Sequence, residues 1–238
     1  MVIPKKSLSQ NFLNDKNISK KIIKLININN ENIVEIGPGM GALTNLIINE
    51  KPKELILIEK DTKLFLELKK RFKRFKNIKV VNEDCLKVDY NKYKDINIIS
   101  NLPYNISTKI ILKFLKSKYQ IKNMVFMIQK EVAIKFDYNI DKINKYKFIN
   151  KLTSNYTRHF NVSSNVFFPK PKVDSTVVNF SLKKTRDINW NKFNQFSNNI
   201  FINKRKKLKN KISKNSCVPE YLYEKRIDEI NFEELLII

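Results

Sequence analysis

Glu35-Ile36-Gly37-Pro38-Gly39-Met40-Gly41 follows the apolar pair Ile33-Val34 and precedes a helix expected through Leu43, Leu46 and Ile47. A glycine turn between a strand and a helix is where a doubly wound sheet receives a nucleotide-like ligand. The chain has 238 residues and only three glycines, all of them in this window. A sequence so poor in glycine keeps it where the backbone must turn tightly or touch something closely. The spacing is GxGxG, whereas dinucleotide oxidoreductases that seat a pyrophosphate on a helix N-terminus use GxGxxG. A hydride-transfer enzyme is therefore disfavoured. The earlier third glycine lets a ribose and an amino-acid tail lie against bare backbone.

Outward from this window, strand-like and helix-like stretches alternate from residue 18 to residue 136. Ile18 to Ile26 has helical spacing. Leu55–Ile58, Ile78–Val81, Ile96–Ile99 and Met124–Ile128 are short apolar runs, and Leu64, Phe65, Leu68, Phe72 and Phe75 mark an amphipathic helix. Short runs apolar on both faces and separated by helices predict a parallel sheet covered on both sides, a doubly wound α/β domain. Residues 137–150 read as polar and irregular. Val173 to Leu182 alternates like an antiparallel or edge strand that completes the sheet. Beyond Lys184, Trp190, Phe193, Phe196, Ile200, Phe201, Leu208 and Ile212 fall at helical spacing. The predicted division is residues 1–182 for the sheet domain and 183–238 for a small helical domain with an aromatic core.

Composition narrows the class. Lys and Arg total 47 against 23 Asp and Glu, a net charge of +24, while 42% hydrophobic residues suffice for a core. Lys, Asn and Ile, the residues of A/T-rich codons, dominate, and only six of the basic residues are arginine, so codon bias feeds the excess. A field of this sign still favours nucleic acid over a cationic partner. No apolar run approaches the ~20 residues that cross a bilayer, and the opening Met1–Ser7 has no apolar stretch behind it. Cys85, Cys217 and His159 are the only cysteines and histidine, too few for a disulfide scaffold or a structural zinc site. The expectation is a cytoplasmic, monomeric protein with no metal and no membrane partner.

Two acids follow the glycine window. Glu59 ends the second apolar run, where a carboxylate can accept both hydroxyls of a ribose, and Asp84 follows the third, where it can accept from an adenine amine. Each alone is an ordinary loop acid or helix cap. Together with the glycines, on successive strand ends, they describe an adenosine with a non-phosphate tail, S-adenosylmethionine.

Asn101-Leu102-Pro103-Tyr104 follows Ile96–Ser100 directly. An adenine exocyclic amine is a poor nucleophile because its lone pair is delocalised into the ring. Acceptors on its two hydrogens draw the nitrogen toward tetrahedral geometry. The Asn101 side-chain oxygen and the Leu102 carbonyl are the candidates, stiffened by Pro103, with Tyr104 placed to stack on an extruded base. Catalysis of this kind is alignment plus electrostatics, without a strong general base.

These motifs resemble the small-subunit ribosomal RNA adenine dimethyltransferase family. The likeness runs through Gln10-Asn11-Phe12-Leu13, Glu35–Gly39 with Gly41-Ala42-Leu43-Thr44, Glu59, Asp84 and Asn101–Ser107. It continues through Phe126-Met127, Gln129–Val132 and Phe167-Phe168-Pro169-Lys170-Pro171-Lys172-Val173-Asp174-Ser175. The resemblance implies a Rossmann-like S-adenosylmethionine-dependent methyltransferase sheet with a small C-terminal helical domain. It implies methyl transfer to the N6 positions of two neighbouring adenosines near the 3′ end of small-subunit ribosomal RNA, during ribosome assembly. It also implies that Asn11, Leu13, Gly37, Glu59, Asp84 and Asn101 contact the donor, that Asn101 and Tyr104 hold the target adenine, and that Phe167 stacks on its other face. The chain departs from the family pattern at Leu8-Ser9, after Tyr146, and in a short C-terminal part. Asn203–Asn210 resembles the family's basic helix, and Lys204–Lys214 holds seven basic residues and no acid. Such a run is a phosphate contact or a solvated face. Two other readings remain: the large-subunit enzyme of the macrolide-resistance type, and a non-catalytic RNA-binding assembly factor.

Overall fold

The computed structural model describes residues 4, 5, 8, 10–140, 142–184, 188–212 and 218–237. Its strands are β1 (Phe12–Leu13), β2 (Asn32–Ile36), β3 (Glu54–Glu59), β4 (Ile78–Asn82), β5 (Ile96–Asn101), β6 (Ile121–Gln129), β7 (Ser154–Val162), β8 (Phe167–Phe168) and β9 (Ser175–Leu182). The helices that matter for the site are α1 (Lys16–Ile23), α2 (Thr44–Asn49), α3 (Thr62–Arg71), α4 (Ser107–Leu115), α5 (Lys130–Phe136), α6 (Lys145–Thr153) and α7 (Trp190–Phe201).

Seven strands form one sheet in the order β4-β3-β2-β5-β6-β9-β7. β4, β3, β2, β5 and β6 are parallel, and β9 runs antiparallel to β6. The central strands are buried on both faces: Ile33, Val34, Leu55, Ile56, Leu57, Ile98 and Ile99 have no exposed surface. That is why they read as continuous apolar runs instead of alternating ones. The chain lays down β2, β3 and β4 in one direction, then returns to place β5 on the other side of β2. The reversal opens a crevice between the carboxyl ends of β2 and β5, where such sheets bind ligands. The Ser100 hydroxyl donates to the Ile36 carbonyl and ties the two strands together at its floor.

Several elements differ from the sequence expectation. The edge strand is β7, whose polar, largely exposed residues show no apolar run, so β9 lies inside the sheet. β4 is an edge strand with Ile78, Val80 and Val81 only half buried and Lys79 exposed. α3 stops at Arg71, and Phe75 lies beyond it, 43% exposed. Residues expected to be irregular contain α6, which Asn144 caps by accepting from the Tyr146 and Lys147 N–H groups. The basic segment is no continuous helix: α7 ends at Phe201, and the helical structure among the segment's described residues is a 3-10 turn at Leu208–Asn210. Cys217 and the end of that segment lie outside the described residues.

Two compact units result, residues 1–134 with 155–182, and residues 135–154 with 183–238. The second unit takes in α6, which a boundary at residue 183 leaves with the sheet. Its reason is aromatic packing: Phe148 of α6 meets Phe193 of α7 at 5.4 Å, and Trp190 meets the same ring edge-on at 5.4 Å. Lys145 also bonds Asn198 across the two helices at 3.0 Å.

Candidate active site

A cavity opens at the crevice, walled by the glycine loop, the ends of β3 and β5, the turn after β4, and the N-terminal segment. Gly37, Gly39 and Gly41 all have positive φ. At Gly39 the constraint is double. Its φ is +57°, and a methyl group there would lie 2.9 Å from Cε1 of Phe12. Phe12 therefore forms part of the cavity roof, resting on a position that a side chain would fill. Asn14 N–H bonds the Val166 carbonyl, and β1 pairs with β8 through Phe12–Phe168 and Leu13–Phe167.

The N-terminal segment is pinned at two further points. Lys5 Nζ lies 2.7 Å from Asp61 Oδ2, and Gln10 donates to the same oxygen at 3.4 Å. Asp61 is buried and also caps α3, accepting from the Lys63 N–H at 2.9 Å. Burial works to raise its pKa, yet the Lys5 ammonium and the capping N–H groups hold the carboxyl below its ordinary range. The second point is Asn101, whose Nδ2 donates to the Asn11 carbonyl at 2.9 Å. Its Oδ1 is buried without a hydrogen-bond partner.

Glu59, at the end of β3, is 5% exposed and accepts from the Gly39 N–H at 3.2 Å and the Asp61 N–H at 2.8 Å. Burial raises its pKa, and those amide donors oppose the rise. Each carboxylate oxygen keeps a second lone pair. Asp84 accepts from the Leu86 N–H at 2.9 Å and pairs with Lys60 at 2.9 Å, and that ammonium keeps its carboxyl low. The Lys60 charge is thus answered by Asp84. With Glu59 and Glu83 also in the wall, the cavity is acidic inside a strongly basic chain. Such a lining repels phosphate and suits a cation.

Tyr104 shares a 2.6 Å hydrogen bond with Ser175 Oγ, and burial raises its pKa. The Leu102 N–H donates to the Met127 carbonyl at 3.1 Å, continuing the β5–β6 ladder into the corner and fixing the peptide's direction. Asn11, Leu13, Gly37, Glu59, Asp84, Asn101, Leu102 and Tyr104 all line the one cavity. Phe167 does not: its ring is 5% exposed and packs in the apolar cluster with Leu13 and Val177. His159 is exposed on β7 and Cys85, though in the wall, is buried with its thiol pushed up to about 12 by burial.

Glu35 is a buried acid whose role no motif announced. It is 2% exposed, accepts from Thr44 Oγ1 at 2.6 Å, and has its pKa pushed up to about 8, chiefly by burial.

The sequence matches the family model for ribosomal RNA adenine dimethylase over residues 3–233. The chain belongs to this family. As a ribosomal RNA adenine dimethylase it draws its methyl groups from S-adenosylmethionine, and the acidic, glycine-lined cavity fits that sulfonium donor. The dimethylase is 37% identical over 241 residues to the ribosomal RNA small subunit methyltransferase A of Hydrogenobaculum sp., an alignment covering 100% of this chain and 93% of that protein. Its fold matches a dimethyladenosine transferase from Plasmodium falciparum with a TM-score of 0.82 and 25% identity, covering 95% of each chain. It shares its fold with the 23S rRNA methyltransferase ErmE, at a TM-score of 0.76 and 20% identity over 95% of this chain and 97% of that one.

Two outcomes follow from the packing and the buried acid. Gly39→Ala forces Phe12 off the loop in a backbone conformation that already disfavours a side chain. It is expected to lower stability by about 1–3 kcal/mol and donor affinity at least tenfold, as read by urea titration and calorimetry. Unchanged donor affinity would refute the roof role of Phe12. For Glu35, a folded-state pKa above its ordinary value means the folded chain binds more protons than the unfolded one between those two pH values. Stability then falls as pH rises from about 4.5 to about 8. Glu35→Gln should match wild type near pH 5 and become relatively more stable toward pH 8, measured by thermal melts across that range.

Proposed function

We propose that this dimethylase modifies two neighbouring adenosines near the 3′ end of small-subunit ribosomal RNA during subunit assembly, acting as a cytoplasmic monomer. The Hydrogenobaculum relative, named for small-subunit RNA, supports the substrate. The observation that carries the chemistry is the unpartnered Asn101 Oδ1, a buried acceptor aimed at nothing within the chain. Bound at the crevice, S-adenosylmethionine supplies an electrophilic methyl on a sulfonium.

In this reading Asn11, Leu13 and Gly37 hold the donor's tail and ribose side, while Glu59 accepts ribose hydroxyls on its free lone pairs. Asp84 takes the donor's adenine amine. On the other side of the corner, Asn101 Oδ1 and the Leu102 carbonyl accept the two N6 hydrogens of the target adenine and localise the nitrogen lone pair. Tyr104, fixed by Ser175, stacks on the base, while the stacking role expected of Phe167 does not fit its place in the apolar cluster outside the cavity. No strong base enters, because the acceptors orient the amine and stabilise the charge that develops on it. Lys204, Arg205 and Lys206 are exposed in the second unit and attract phosphate, a contribution that weakens with salt. Lys207 and Lys209 are each 2.6 Å from Glu224, so part of the run is already neutralised. Among the described residues no helix is long and apolar enough to cross a membrane.

The test is methyl transfer from labelled donor to immature small subunits, followed by digestion to nucleosides and mapping. N6,N6-dimethyladenosine at two adjacent positions of the small-subunit RNA is expected. Label in large-subunit RNA, or none despite donor binding, would overturn the proposal. Asn101→Ala should lower kcat about 10²-fold or more while the donor Kd stays within about threefold; an unchanged kcat would remove Asn101 from the mechanism.

A further inference from the structure

Lys113 lies in the last turn of α4 and, among the described residues, makes no direct ion pair, although Glu83, Asp84 and Asp89 lie close enough for their charges to favour its ammonium. Its ammonium donates to three backbone carbonyls of the turn after β4: Cys85 at 3.3 Å, Leu86 at 2.9 Å and Val88 at 2.8 Å. Three donors thus meet three acceptors. The rings of Tyr90 and Tyr119 flank the same ammonium at 4.8 and 5.9 Å, so it is held by cation–π attraction as well. Tyr90, itself fully buried, adds a second brace by donating its hydroxyl to the Cys85 carbonyl at 3.1 Å. Within the turn, the Asp84 carbonyl accepts from Lys87 and Val88, and the Asp84 carboxylate accepts from Leu86. Asp84 and Cys85 belong to the cavity wall, and α4 begins at Ser107, directly after the Asn101–Tyr104 corner.

We propose that Lys113 is a positioning residue for the donor: it gathers the Cys85–Val88 carbonyls from α4 and thereby sets the Asp84 carboxylate against the adenine of S-adenosylmethionine. The ammonium plays the part a bound cation plays in other loops, satisfying carbonyls that converge with no strand or helix to pair them. Because the brace comes from the helix that follows the catalytic corner, the two walls of the cavity share one rigid element. Burial depresses the Lys113 pKa, and the cost of holding a charge there is offset by the three bonds, the two flanking rings and the nearby Glu83, Asp84 and Asp89. The inference rests on the reading that Asp84 receives the donor's adenine.

The experiment measures S-adenosylmethionine binding by calorimetry and steady-state kinetics with small subunits for the wild type, K113M, K113R and Y90F. K113M keeps the length of the side chain and removes every donor. Its donor Kd and KM are expected to rise about tenfold with kcat at saturating donor within about twofold, and K113R should recover most of the affinity. Y90F, which removes the second brace alone, should raise the donor Kd about threefold, and this variant carries the test if K113M does not fold. A general loss of packing would lower kcat with Kd unchanged, and that result overturns the proposal. So do K113M and Y90F proteins that bind donor within twofold of wild type. Wild-type protein that binds no S-adenosylmethionine overturns the functional reading itself, and the inference with it.

Discussion

The amide of Asn101 has its nitrogen spent and its oxygen unspent. Donating Nδ2 to the Asn11 carbonyl fixes which way the group points, so Oδ1 is left as the acceptor buried in the crevice. An unsatisfied buried acceptor costs about 1–3 kcal/mol, and a native fold tolerates few of them. The same bond pins the N-terminal strand over the cavity. Once that strand is in place, Phe12 lies on Gly39, the bare position becomes obligatory, and the Gly39 N–H is turned toward Glu59. Roof, glycine loop and Glu59 are thus tied to the corner by a hydrogen bond between residues 90 apart in the chain, which acts together with the β1–β8 pairing and the Asp61 contacts.

Two electrostatic scales coexist without conflict. The whole chain is strongly basic, and its field draws a polyanion from beyond contact range. Inside the cavity the balance is reversed, since among the described residues Glu59, Glu83 and Asp84 share the wall with one lysine, Lys60, which Asp84 already answers. Screening over about 8–10 Å at physiological salt keeps distant surface lysines from cancelling the local field. A basic exterior gathers RNA while an acidic interior gathers a sulfonium, and neither ligand competes for the other's place.

The parts of the site that the sequence made legible are those whose chemistry sits at strand ends. The apolar runs of β2, β3 and β5 are buried on both faces, so their ends stand out, and Gly37, Glu59 and Asn101 lie at or just beyond them. Edge elements lacked that contrast. β7 leaves Asn155, Thr157, Arg158 and His159 exposed, on both faces of the strand, and β1 and β8 are two residues each, too short for any periodicity. α6 buries Lys147 and Asn150, whose polar tips reach backbone carbonyls at Ile140 and Phe136, which breaks the apolar stripe. Glu35 and Lys113 stayed silent for a related reason. Their partners are a hydroxyl nine residues on and carbonyls roughly 25 residues back, and a carbonyl has no letter in the sequence.

A corner built from two acceptors also bears on why transfer can be repeated and then stop. On the roles proposed for Asn101 and Leu102, an unmodified adenine amine carries two hydrogens, enough to engage both Asn101 Oδ1 and the Leu102 carbonyl. After one methylation a single hydrogen remains, so one acceptor still orients the nitrogen while the other faces a methyl group. The corner is apolar enough to receive it: Leu102 and Ile36 are nearly inaccessible to water, and Pro103 stands beside Gly37. After the second methylation no hydrogen is left. Both acceptors then lose their partners inside a dry pocket, at about 1–3 kcal/mol each, and the nitrogen has no proton to yield. On that assignment the doubly methylated base would be held less well than either of its precursors, and the geometry proposed to drive the reaction would also release its product.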